Sequence, residues 1–125
     1  MTTMNNVAYL EDSDFDQNGN IINPEILSMN MPVVVMMQAS WCPHCKSATP
    51  AFDEFAGLSQ GKVFSATIQS DGERQSEIAL GKRIKETIKK NFRGFPDYLV
   101  YIDGKPVNKE ISGRTVEDLK KFSGM

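Results

Sequence analysis

The chain has 125 residues, near the commonest domain size; 40% of them are hydrophobic and 24% charged, the balance of an ordinary globular chain. That length and apolar content support a core without disulfide staples, and exclude a disordered tail, a collagen-like repeat and a cysteine-rich scaffold. A formal net charge of −2 and a pI of about 5.4 give no global attraction to nucleic acid or to an anionic membrane. Residues 1–125 are therefore expected to form one domain. Residues 1–14 lack a basic start and an apolar run, and the longest apolar stretch, residues 31–37, is interrupted by Pro32 and far too short to span a bilayer. On this reading the protein is cytoplasmic, with no membrane partner.

The elements follow in chain order. Residues 7–10 read as an outer strand, and residues 11–20 are acidic and polar. Asn23 is placed to cap a short helix that opens on Pro24 and runs to Leu27. Val33 to Met37 is apolar at every position, the pattern of a strand covered on both faces. Residues 46–58 carry Ala48, Ala51, Phe52, Phe55 and Ala56 at helical spacing, with Pro50 expected to kink the helix. Residues 63–68 read as a strand, and Asp71-Gly72 as a turn. A helix over 73–91 has Leu80, Ile84, Ile88 and Phe92 as its apolar stripe with Ile78 alongside, and Lys89 and Lys90 near its end. Residues 98–102 form a strong strand, Asp103-Gly104 a hairpin turn, and residues 107–111 the return strand, with Lys109 and Glu110 on its exposed edge. Thr115 and Asp118 make a capping box for a last helix that faces Val116, Leu119 and Phe122 to the core. The order β-α-β-α-β-α-β-β-α predicts an α/β fold with a central mixed sheet flanked by helices.

Cys42 and Cys45 are the only cysteines, separated by Pro43 and His44, the only histidine. Two cysteines and one histidine in a single turn fall short of the four ligands of structural zinc. Cys42 stands where a buried strand becomes a helix. Unsatisfied N–H groups and partial positive charge at a helix start favour a thiolate, and a protonated His44 would add to the effect. Favouring the thiolate stabilises the dithiol and makes the disulfide more oxidising. Cys45, one turn on, can close a small ring with Cys42. Cys42 would attack a substrate disulfide and Cys45 would resolve the mixed disulfide; the reverse steps would oxidise a dithiol.

The run Ala39-Ser40-Trp41-Cys42-Pro43-His44-Cys45-Lys46, with Pro50, Arg93-Gly94-Phe95-Pro96 and Gly113 before the last helix, resembles the thioredoxin superfamily, specifically thioredoxins and protein disulfide isomerase catalytic domains. The resemblance covers residues 7–122. It implies the thioredoxin fold, a cis-proline at Pro96 beside the Cys42 sulfur, and a substrate groove lined by Trp41, Pro43, Phe95, Pro96 and Gly113. Met36 stands where the family usually buries an acidic residue that helps to deprotonate the resolving cysteine. Residues 63–68 lack the lysine that thioredoxins pair with that acid. Asp97 follows the cis-proline where a thioredoxin usually has threonine, and extra residues lengthen the helix before Pro96. The Pro-His dipeptide is similar to that of oxidising periplasmic members.

The expected function is a thiol–disulfide oxidoreductase acting on protein disulfides, with Cys42, Cys45 and His44 as its catalytic residues. Two alternatives stand beside it: a non-catalytic thioredoxin-fold binding module, and a glutaredoxin-like enzyme using glutathione. Glutaredoxins usually lack the tryptophan and carry the motif nearer the N-terminus. No nicotinamide or flavin motif is present, so no cofactor is expected. The implied partners are substrate proteins and a recycling reductase or thiol oxidase, acting on a monomer. One further motif stands apart: Asp14, Asp16, Asn18 and Glu25 match the spacing of an EF-hand calcium loop, though without an entering helix. Lys82, Arg83, Lys85, Lys89, Lys90 and Arg93 form a basic run expected to be a solvated face.

Overall fold

The computed structural model describes residues 4–125. Strand β2 (Val33–Gln38) is buried at all six positions. The reason lies in the strand's period of two, which sends alternate side chains to opposite faces. Val33, Val35 and Met37 pack with Leu80 and Ile84 on one face. Val34 and Met36 pack with Phe52, Phe55, Leu119 and Phe122 on the other. A strand with helices on both sides has no polar face, and this is why its sequence does not alternate.

Among the described residues the strands form one five-stranded sheet in the order β1-β3-β2-β4-β5. β1 (Ala8–Tyr9) and β2 both pair in parallel with β3 (Phe64–Gln69), whereas β4 (Asp97–Ile102) runs antiparallel to β2, and β5 (Lys105–Pro106) antiparallel to β4. Helices α2 (Pro43–Leu58) and α4 (Val116–Ser123) cover one face. Helices α1 (Pro24–Leu27) and α3 (Gln75–Thr87) cover the other. This is the thioredoxin fold that the sequence resemblance implies. No helix among the described residues is long and apolar enough to cross a membrane.

The caps behave as their residue types require. The Asn23 side chain accepts the Glu25 N–H at 2.9 Å, with Pro24 at the first helical position. Thr115 and Asp118 satisfy each other's backbone N–H groups at the start of α4. Helix α2 begins at Pro43 rather than at residue 46, because the Cys42 sulfur itself caps it. The helix continues through Pro50, which is exposed, so the Lys46 carbonyl that Pro50 cannot serve remains close to solvent.

Two boundaries and one burial depart from expectation. Helix α3 ends at Thr87 and not near Asn91. Ile88 and Phe92 keep the apolar period and still pack on the core, but as half-buried residues beyond the helix. Ile78, expected beside the stripe, is exposed. The return strand is Lys105–Pro106 and not residues 107–111. Asp103 and Gly104, with φ of 52° and 80°, make a two-residue turn that brings Lys105 opposite Ile102 at once. A Cβ at Gly104 would strike the Ile21 carbonyl at 2.7 Å, so the turn is pinned against that loop. Pro106 has no N–H to extend the ladder, and after the Val107 N–H bonds the Val100 carbonyl the chain leaves the sheet.

Candidate active site

The end of β2 delivers the site. The Ala39 carbonyl accepts the Cys42 N–H at 3.2 Å. Asp71, from the turn after β3, receives the Ser40 backbone N–H at 2.8 Å, the Ser40 hydroxyl, and the Gln69 side-chain amide at 2.9 Å. Burial opposes ionisation of Asp71, but the bonds from Ser40 and Gln69 outweigh it and hold the carboxyl below the ordinary carboxylate range. The loop before the cysteines is thereby latched to the neighbouring strand end.

Cys42 and Cys45 are both free thiols and both buried, at 2% and 1% exposure. The Cys45 backbone N–H donates to the Cys42 sulfur at 3.1 Å, a contact that stabilises negative charge on that sulfur. On its other side the Cys42 thiol donates to the Phe95 carbonyl at 3.4 Å. The Phe95–Pro96 bond is cis and Pro96 is buried, so the cis-proline lies beside the Cys42 sulfur, as the resemblance implied. Cys45 is a different kind of thiol. Burial, reinforced by its bond with Cys42 and by repulsion from Cys42, pushes it up to about 12; a backbone bond with Ala39 and the charge of Arg114 oppose the rise.

Trp41 is 68% exposed, and its ring meets that of Phe95 edge-on at 5.7 Å. Phe95 in turn meets Phe92 at 4.8 Å, and the Lys85 ammonium lies 4.7 Å from the centroid of each of these two rings. The result is an aromatic ridge beside Cys42 with a cation against its flank. Pro43 and His44 are both exposed on the first turn of α2, so the imidazole faces solvent rather than the core.

Gly113 has a packing reason for being glycine: a Cβ there would collide with the Asp118 carboxylate that caps α4. It lies in the loop that also carries Arg114, a residue the sequence analysis passed over. In the sequence that segment carries the family glycine, Gly113, and the helix cap of Thr115 and Asp118, neither of which points to Arg114. Asp71 was read only as a turn residue, and Tyr98 only as a strand residue.

The calcium-loop residues are committed elsewhere. Asp16 accepts the backbone N–H groups of Asn18 and Asn20 and the Asn20 amide, and these bonds from Asn20 lower its carboxyl. Asp14 accepts the Glu11 N–H and the Asn23 amide. Asn18 is exposed, and Glu25 is exposed on α1. The turn closes through a Phe15–Ile21 bridge and through the buried Tyr101 hydroxyl, which donates to the Gly19 carbonyl at 2.9 Å. Among the described residues no three His, Cys, Asp or Glu side chains gather as a metal site.

The basic run is not wholly a solvated face. Arg83 donates to the carbonyls of Asp12, Phe15 and Asp16, and Lys89 pairs with Asp97 at 3.3 Å. Lys82, Lys90 and Arg93 are exposed.

A thioredoxin family model matches residues 6–123. A thioredoxin-like protein of Invertebrate iridescent virus 6 is 40% identical over 115 residues, which cover 83% of this chain and 81% of that protein. The protein disulfide-isomerase erp38 of Neurospora crassa is 35% identical over 103 residues, 78% of this chain but 25% of that protein, so the chain spans about a quarter of the isomerase's length. In three dimensions, the first thioredoxin domain of mouse protein disulfide-isomerase A4 superposes with a TM-score of 0.67 at 20% identity, covering 95% of this chain and 74% of that one.

Proposed function

The chain belongs to the thioredoxin family, and from that membership we propose that it is a thiol–disulfide oxidoreductase acting on protein disulfides through Cys42 and Cys45. The observation that carries the proposal is the setting of the Cys42 sulfur, between the Cys45 N–H at 3.1 Å and the Phe95 carbonyl next to cis-Pro96. A nucleophilic sulfur needs a donor aimed at it and room for its substrate, and the Cys45 N–H and the neighbouring cis-Pro96 support that reading.

In the reductive direction the Cys42 thiolate attacks one sulfur of a substrate disulfide. A Cys42–substrate disulfide forms and the other substrate sulfur leaves as a thiolate. Cys45 then attacks the Cys42 sulfur, the second substrate sulfur leaves, and the pair ends oxidised by two electrons. Another protein or a small thiol returns those electrons. The reverse sequence makes a disulfide in a substrate dithiol and needs a thiol oxidase. Trp41, Pro43, Phe95 and Pro96 form the contact surface, and the exposed His44 adds positive charge when protonated.

The test is insulin disulfide reduction by the wild type, Cys42→Ser and Cys45→Ser. Turnover lost in both variants, with a stable substrate adduct on Cys42 in Cys45→Ser, is the expected result. Turnover that survives Cys42→Ser, or protein binding without turnover in the wild type, would replace the enzyme with a binding module. Equilibration in graded glutathione buffers sets the direction. A potential near −270 mV marks a reductase, and one approaching −180 to −120 mV marks an isomerase or oxidant.

A further inference from the structure

Charge in this chain is unevenly placed, and its positive part lies beside the cysteines. Residues 82–93 hold six cations and one carboxylate, a net charge of +5 in a chain whose total is −2. Two of the six cations are committed. Arg83 donates to the carbonyls of Asp12 and Phe15, and Lys89 pairs with Asp97 and, at 3.8 Å, with Glu110. Among the described residues the other four, Lys82, Lys85, Lys90 and Arg93, have no carboxylate within ion-pair distance.

Lys85 stands apart from the other three. Lys82, Lys90 and Arg93 are exposed, whereas Lys85 is half-buried. Its ammonium lies over two rings, 4.7 Å from the centroid of Phe92 and 4.7 Å from that of Phe95. Aromatic faces hold a cation in place without neutralising it. An ion pair made at such a partly buried position is also screened less by salt than one in open water.

The ridge connects this charge to the reacting sulfur. The Phe95 carbonyl accepts from the Cys42 thiol at 3.4 Å, and the Phe95 ring meets Trp41, Phe92 and the Lys85 ammonium. One residue thus reaches from the Cys42 sulfur to the Lys85 charge. An extended substrate advances about 3.3 Å per residue, so a carboxylate within about four residues of its reacting cysteine can come level with Lys85. Past the ridge, Lys85 and Lys82 share a hollow of about 280 Å³ with Ile78 and Gly81, which gives the substrate chain room to pass. Glu86 is the one carboxylate that lines it.

We propose that Lys85 is a specificity-determining residue: held against Phe92 and Phe95, its ammonium selects protein disulfides that carry aspartate or glutamate near the attacked cysteine. Lys82 and Arg93 add attraction at longer range. The inference rests on the oxidoreductase reading given above. The exchange steps stay as written there, and the ion pair acts on the encounter that precedes attack by the Cys42 thiolate. A charge at the margin of a contact surface chiefly alters the rate of association and makes that rate salt-dependent.

The test uses the reduced full chain in single turnovers with synthetic peptides of equal length. Each is closed by one disulfide, and they differ only in carrying Glu, Gln or Lys beside the cysteines. The readout is the ratio of second-order rate constants within one protein, so a general loss of activity cancels. Wild type is expected to reduce the Glu peptide about tenfold faster than the Gln peptide at low salt, and less than about threefold faster at about 0.5 M salt. Lys85→Gln lowers the low-salt ratio to about threefold, whereas Lys82→Gln changes it by less than about twofold. In Lys85→Glu the preference passes to the Lys peptide, an exchange that a packing role for Lys85 would not produce. The wild-type ratios and their salt dependence test the idea even should a variant fold poorly. Equal wild-type rates for the Glu and Gln peptides overturn the proposal, as does a Glu preference that Lys85→Gln leaves unchanged. Retention of the protein on phosphatidylserine vesicles with equal peptide rates also overturns it, since the basic face would then be a lipid surface. If Cys42→Ser and Cys45→Ser leave exchange intact, the oxidoreductase reading itself has failed; if they abolish it while wild type reduces the peptides alike, only this inference has.

Discussion

Iodoacetamide applied to the reduced protein at neutral pH is expected to modify Cys42 and spare Cys45. The structure sets the margin. Cys45 is pushed from 9.0 up to about 12 by burial and by its neighbour Cys42. Three units remove about a thousandfold of the thiolate present in a free cysteine. The more basic thiolate recovers part of that loss, since a Brønsted slope of 0.4–0.5 over three units returns a factor of about 16 to 32. Ionisation alone therefore slows Cys45 by about thirty- to sixtyfold against an unstructured thiol. Time-resolved alkylation with peptide mapping measures both rates. In Cys42→Ala, Cys45 loses the side-chain bond and the repulsion from Cys42 but keeps the larger effect of burial, so it should react faster than in wild type and still slower than free cysteine. Alkylation of Cys45 in the wild type within about threefold of free cysteine would refute this account.

Asp71→Asn should lower stability at neutral pH by about 1 kcal/mol, because hydrogen bonds to a charged acceptor are weakened. Since folding depresses the Asp71 carboxyl, its stabilisation is complete above the unfolded value near 4 and is lost as pH falls through the lower folded value. Thermal melts across the acid range should accordingly show a flatter limb in the variant; identical limbs would remove Asp71 from the latch. Tyr101→Phe strands the buried Gly19 carbonyl and should cost about 1–2 kcal/mol by denaturant unfolding, whereas a neutral result would mean the loop finds another donor. Millimolar calcium should leave the melting temperature unchanged, because Asp14 and Asp16 already serve backbone and amide donors; a saturable upward shift would show a site that these bonds conceal.

The parts of the fold most legible in the sequence were those set by short-range physics. The unbroken apolar run of β2, the Asn23 and Thr115 caps and the Asp103-Gly104 turn each follow from residues a few positions apart, and each lies where it was expected. The end of α3 was misjudged because Ile88 and Phe92 keep helical spacing after the backbone has stopped being helical; core contact outlasts the helix. The return strand was misplaced because β-branched Val107 and Ile111 outweigh Lys105 and Pro106 in strand preference, while the tight turn decides the pairing. Within the site, the cysteines, Trp41 and Pro96 carry a recognisable pattern. Asp71 carries none, because it reaches the site through a tertiary contact with Ser40, 31 residues away in the chain.

The two outermost strands of the sheet, β1 and β5, are each two residues long, and β5 ends on Pro106. A flat row of free amides and carbonyls is a template on which another extended chain can grow, and it seeds aggregation. Margins this brief offer almost no such row, and the proline removes one donor from the little that β5 presents. A protein whose proposed work brings it against other polypeptides gains a second protection from this trimming. Contact with an extended, aggregation-prone polypeptide is discouraged along the flanks of the sheet and left to the ridge beside Cys42, where it can end in release.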